Sequence, residues 1–296
     1  MEWLLDPFQA SFVQRALWGG VLVSLICALA GTWVVLRGMA FLGDAMSHGM
    51  LPGVALASLL GGNLLLGAAL SSGAMALGVT VLSRSRRLSQ DTSIGLLFVG
   101  MLSAGVIIVS HSQSFAVDLT GFLFGDVLAV RQEDLGYLAV ALLVAAVVSA
   151  LGYRSFVALA FDVRTAHTLG LRPRVAQAML LGLVTLAIVA SFHVVGTLLV
   201  FGLLIAPPAT AVLWVRRIPL IMLTAALLGV AATVAGLVIS WHWGTAAGAT
   251  IAATAVAVFF VAAIAAHLRT RGAPTPLPDS TPLSTSTTEA ASEHAS

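Results

Sequence analysis

Long apolar runs recur along almost the whole chain, far more than one soluble core could bury. Runs of the length needed to cross a bilayer, about 17–25 residues, fall at roughly 16–36, 39–60, 64–83, 93–110, 135–152, 175–195, 197–214, 219–240 and 245–267. None alternates with a period of two, so helices are predicted and barrel strands are not. Only 9% of residues are charged and the mean hydropathy is +1.04, so the solvent for most of the chain is lipid. The predicted fold is an all-α polytopic membrane protein with about eight to ten transmembrane helices, some short or broken. Residues 1–271 read as one transmembrane domain. The Pro/Ser/Thr-rich segment 272–296 has almost nothing to bury and is predicted to be a disordered cytoplasmic tail.

The charges orient this array. All fourteen basic residues are arginine. Those at 84–87, 154–174, 216–217 and 269–271 fall between apolar runs, and the positive-inside rule puts these loops in the cytoplasm. Residues 110–134, the turn near 195 and "WHWG" at 241–244 then face outward, as does the N-terminus. The start of the chain has two acids before its first arginine, so no cleaved leader is expected. Without lysine the chain cannot supply a P-loop, and any ATP hydrolysis must reside in another protein. Cys27 is the only cysteine, so no internal disulfide or thiolate cluster can form. A small formal charge of +2 offers no basis for binding nucleic acid.

Against this background "LGDAMSHGMLPG" (42–53) stands out. Asp44 and His48 lie four apart, on one face of a helix. An ionised group at mid-bilayer costs about 2.5–3.5 kcal/mol on insertion scales, so something must offset it. A structural Asp–His hydrogen bond, a proton relay and a divalent metal ion can each do so. The surroundings favour the metal. Gly38, Gly43, Gly49, Pro52 and Gly53 flank the pair and predict a short or broken helix, the place where transporters gather ion ligands. Two ligands per chain are too few for zinc or manganese, so a two-fold dimer is expected to bring two pairs to one axis. Carboxylate with imidazole suits zinc, manganese or iron, and the missing thiolate argues against Cu⁺. Met46 and Met50 fall off the shared face and read as packing.

The segment "LRGMAFLGDAMSHGMLPGVAL" resembles the signature of the membrane permease subunits of bacterial zinc/manganese/iron ABC importers. The segments at 91–110, 122–130, 161–171 and 194–211 agree in order and spacing, and the resemblance runs from about residue 12 to 267. It implies a permease in the bacterial inner membrane, working as a homo- or heterodimer and carrying no resident cofactor. It implies a cytoplasmic ABC ATPase that binds ATP, an extracytoplasmic metal-binding protein and a divalent cargo ion. Asp44 and His48 match the pathway ligands. The stretch 161–171, with Phe161, Asp162, Ala166, Leu169 and Gly170, matches the coupling helix that docks on the ATPase.

His193 reads either as a further ligand or as a packing histidine. His111 and His242 sit at predicted outer ends, His167 on the coupling stretch and His294 in the tail. The rival reading is a proton- or sodium-coupled carrier, which needs the intramembrane pair but neither coupling stretch nor ATPase. An intramembrane metalloenzyme is disfavoured. There is no His-Glu-x-x-His, and no glutamate between Glu2 and Glu133.

Overall fold

The computed structural model describes residues 9–82, 89–110, 125, 127–161 and 173–271. The described residues form helices α1 (Ser11–Leu36), α2 (Ala40–Gly49), α3 (Leu51–Leu59), α4 (Leu64–Leu82), α5 (Gln90–Ser110), α6 (Gln132–Phe161), α7 (Pro173–Val195), α8 (Thr197–Trp214), α9 (Ile218–Trp243) and α10 (Ala247–Arg271). A single 3₁₀ turn, Val127–Ala129, precedes α6, and no strand occurs among the described residues. Eight of these helices, α1 and α4 to α10, are long and apolar enough to cross a membrane. The remaining two share the run predicted at 39–60, which breaks at Met50. Together they cover about 20 residues, or about 30 Å at the helical rise, one bilayer crossing in two pieces.

Contacts at the helix ends show that the array runs up and down. Phe12 of α1 meets Trp241 at the end of α9 (ring centroids 6.1 Å), and Gly19 lies near Val130 and Val194. At the opposite end Arg269 of α10 sits 5.3 Å over the Trp214 ring, and Leu36 packs with Ile221 and Ala225. The arginines of the described residues at 154, 216, 217 and 269 thus follow the same ends of their helices, in agreement with the charge pattern.

Helix α1 is the most buried span and packs on α6, α7, α8 and α9. Small and hydroxyl side chains share its contacts with Val23, Ile26 and Trp33. Ser24 Oγ and Thr233 Oγ1 are 3.0 Å apart, and Trp33 Nε1 donates to Ser149 Oγ at 3.2 Å. Pro207 and Pro208 lie inside α8. Pro208 cannot donate the N–H that would close a helical bond on the Leu204 carbonyl. That carbonyl lies against Gly31, where any Cβ would collide with it. A helix of lipid-compatible residues thus approaches another through glycine, as membrane packing favours.

The structure extends one expectation. The run predicted at roughly 135–152 is shorter than α6, which continues to Phe161. Phe156 and Leu159 are buried, and Phe156 stacks edge-on against Trp33 at 5.3 Å, so tertiary packing carries the helix beyond its apolar stretch. The side chain of Phe161, residues 162–172 with the remaining coupling positions, most of the 111–134 segment and the 272–296 tail lie outside the described residues.

Candidate metal-ion site

A tight turn delivers the chain into α2. Gly38, at φ +66°, follows the last turn of α1. Its N–H bonds the Val35 carbonyl at 3.0 Å and Met39 N–H bonds Val34 at 3.0 Å, the paired closure that glycine permits after a helix. Arg37 precedes it, half-buried, with burial lowering its pKa; the guanidinium still carries its charge. Met39 then inserts into the core and α2 begins at Ala40.

One face of α2 is apolar and sealed. Leu42, Ala45, Met46 and Gly49 are buried. The other carries Phe41, Asp44 and His48, spaced so that they share a stripe. Phe41 is 44% exposed, and the Asp44 and His48 side chains are 34% and 26% exposed. Within one protomer the pair therefore opens outward from the bundle instead of into its core. At the helical rise Asp44 stands about 6 Å and His48 about 12 Å along the 30 Å of the split crossing.

His48 Nε2 is 3.6 Å from Asp44 Oδ1. That is too long for a hydrogen bond, so the two groups face one point without being consumed by each other. His48 Nδ1 is buried and has no hydrogen-bond partner among the described residues. The imidazole is flanked edge-on by Phe98 of α5, at 5.6 Å between centroids, and Phe98 in turn meets Phe41 at 5.6 Å. The two rings form an aromatic wall on the His48 side of the pair. A carboxylate oxygen and an imidazole nitrogen side by side form half of a four-donor set for a divalent first-row ion. No third His, Cys, Asp or Glu joins them among the described residues.

Met46 and Met50 are fully buried in the core, off the ligand stripe. A Met46→Leu exchange conserves volume and is expected to cost less than about 1.5 kcal/mol. Transport by that variant should stay within about twofold of wild type, measured as initial uptake per unit of membrane protein. His193 lies in the last turn of α7, and its side chain is outside the described residues. His242 Nδ1 lies 2.8 Å from its own helix at the Val238 carbonyl, beside exposed Trp241 and Trp243. His111, His167 and His294 are outside the described residues. Phe98 is the wall residue that the sequence did not single out, since nothing in the apolar run of α5 marks the ring that touches His48.

The chain matches the family model described as the ABC 3 transport family over residues 9–266. It is 35% identical over 262 residues to the manganese transport system membrane protein MntC of Listeria monocytogenes, covering 88% of this chain and 93% of that one. It is also 35% identical over 270 residues to a probable iron transport system membrane protein of Haemophilus influenzae, covering 91% of this chain and 99% of that one. Among solved structures it is similar to PsaBC from Streptococcus pneumoniae in complex with Fab, with a TM-score of 0.77, 30% identity, and coverage of 88% of this chain and 94% of that one. The split crossing with its outward Asp–His pair, set in an all-α bundle of transmembrane helices, is thus found in a chain that is a permease subunit of an ABC transport system and belongs to the ABC 3 transport family.

Proposed function

We propose that this chain forms, with a second copy or a related permease, the path by which a divalent transition-metal ion enters the cell, manganese(II) in the first place. Asp44 and His48 of each copy supply two oxygens and two nitrogens around the ion on the two-fold axis. The observation that carries this reading is the part-exposed Phe41–Asp44–His48 stripe of α2, which opens outward from the bundle. A charged pair facing lipid would be costly, and a partner protomer with its own pair removes that cost while completing the donor set. Manganese and iron in the names of the relatives agree with oxygen and nitrogen donors.

In this reading an extracytoplasmic metal-binding protein delivers the ion. A cytoplasmic ATPase engages Phe161, Asp162, Ala166, Leu169 and Gly170. Nucleotide-driven closure of the ATPase pair rocks the helices, so that the pair faces first outward and then inward. The permease chain holds and releases the ion and makes or breaks no covalent bond. Metal analysis of the purified permease–ATPase complex tests the assembly. The expected result is one bound Mn²⁺ per two copies of the chain, lost with either ligand. One ion per single chain, or uptake into vesicles that needs a proton gradient and no ATPase, would overturn it.

A further inference from the structure

The break between α2 and α3 rests on one stripe of α4. Gly67, Ser71 and Met75 recur every fourth residue and share a face. Gly67 lies backbone to backbone against Gly53. Ser71 Oγ donates to the Gly49 carbonyl at 2.7 Å, and Met75 packs on Gly49. Gly49 and Gly53 are themselves four apart, so small residues on both partners let the chains touch.

The break has a covalent cause. Pro52 has no N–H to close a helical bond on the His48 carbonyl. The next carbonyl, of Gly49, takes the Ser71 hydroxyl instead, and the backbone pattern resumes with Val54 N–H on Met50 at 3.0 Å. The main chain thus leaves helical register at Met50, two residues after His48, at a point fixed from α4. Among the described residues nothing hydrogen-bonds His48 Nδ1 to orient its ring. In metal sites that second nitrogen is the usual means of setting a ligating histidine. Here the ring is aimed by its backbone and by the Phe98 edge.

We propose that Ser71 is a positioning residue for ion transport: its hydroxyl, on the Gly49 carbonyl, sets where α2 ends and so holds His48 at its distance from Asp44. The inference rests on the reading of Asp44 and His48 as ion ligands. Ser71 itself touches no ion.

The test is Ser71→Ala in the complete complex with its ATPase, reconstituted in liposomes, with Mn²⁺ uptake followed against Mn²⁺ concentration. Losing an outer-shell support costs about 10–100-fold in metal affinity, so KM is expected to rise about tenfold or more. Membrane abundance and maximal ATP hydrolysis should stay within about twofold, because one hydrogen bond is worth only about 0.5–1.5 kcal/mol to folding. Ser71→Thr keeps the hydroxyl and is expected to restore most of the affinity. A Ser71→Ala KM within about twofold of wild type, or a loss of abundance with KM unchanged, would overturn the proposal, since both mark a merely structural bond. Asp44→Ala and His48→Ala run beside it. Normal uptake by those two defeats the ion-site reading; dead ligand variants with a normal Ser71→Ala defeat only the positioning role.

Discussion

Uptake by Asp44→Ala or His48→Ala complexes is expected to fall below about one hundredth of the wild-type rate, with the protein still inserted and still bound to its ATPase. The size follows from symmetry. At the proposed site shared by two identical copies, one substitution in the gene removes a donor from both, leaving two of four around the ion. Perturbing an outer-shell partner alone costs about 10–100-fold in affinity, and removing two direct ligands must exceed that. Stability points the other way. Both side chains are partly exposed, neither makes a hydrogen bond to the other at 3.6 Å, and alanine is a good helix residue. Folding should therefore be preserved, which separates this result from a misfolded null. Asp44→Asn sharpens the test, since it keeps the volume and removes the charge that a cation needs. Radioactive Mn²⁺ uptake, with membrane abundance and ATPase co-purification measured on the same samples, decides the matter. Full uptake by any of the three would remove the pair from the pathway.

The pair was legible because two physical constraints met in a few residues. Ionisable groups are rare in this chain, and a spacing of four puts them on one helix face, so Asp44 and His48 announce themselves. Pro52 likewise announces a broken crossing, and α2 and α3 meet at Met50 as that pattern predicts. What braces the break was not legible. Helix α4 is apolar on every side, and in lipid no moment tells which face meets protein. Only the fold reveals that Gly67, Ser71 and Met75 look at the break while Leu66, Leu70 and Leu77 are exposed. The same blindness hid Phe98 and shortened α6. An apolar run ends where arginine begins, but a helix ends where packing does, and Phe156 is held by Trp33 beyond Arg154. Many glycines signalled close approach in general; which backbone each one meets is a property of the tertiary structure alone.

Among those approaches, Gly53 to Gly67 is one of the tightest. A Cβ placed on Gly53 would overlap the Gly67 carbonyl and come within 2.6 Å of Ser71 Cβ. Neither obstacle is a flexible side-chain end, so no rotamer change relieves the clash, and α3 must move away from α4. Gly53→Val is therefore expected to lose most correctly assembled protein. Overpacking costs about 1–3 kcal/mol where neighbours can shift, and more where they cannot. For a domain of somewhat smaller size each kcal/mol moves Tm by about 2–4 °C, which sets an expected fall of at least about 5 °C. The purified chain carries native tryptophans to report this by thermal fluorescence. Gly73, in the same helix α4, is the matched control, because a Cβ there meets nothing within 4 Å. Gly73→Ala should be neutral, or stabilising by up to about 1 kcal/mol, from helix propensity alone. If Gly53→Val melts with the wild type, the two backbones do not touch, and the brace that fixes the end of α2 beside His48 is not there.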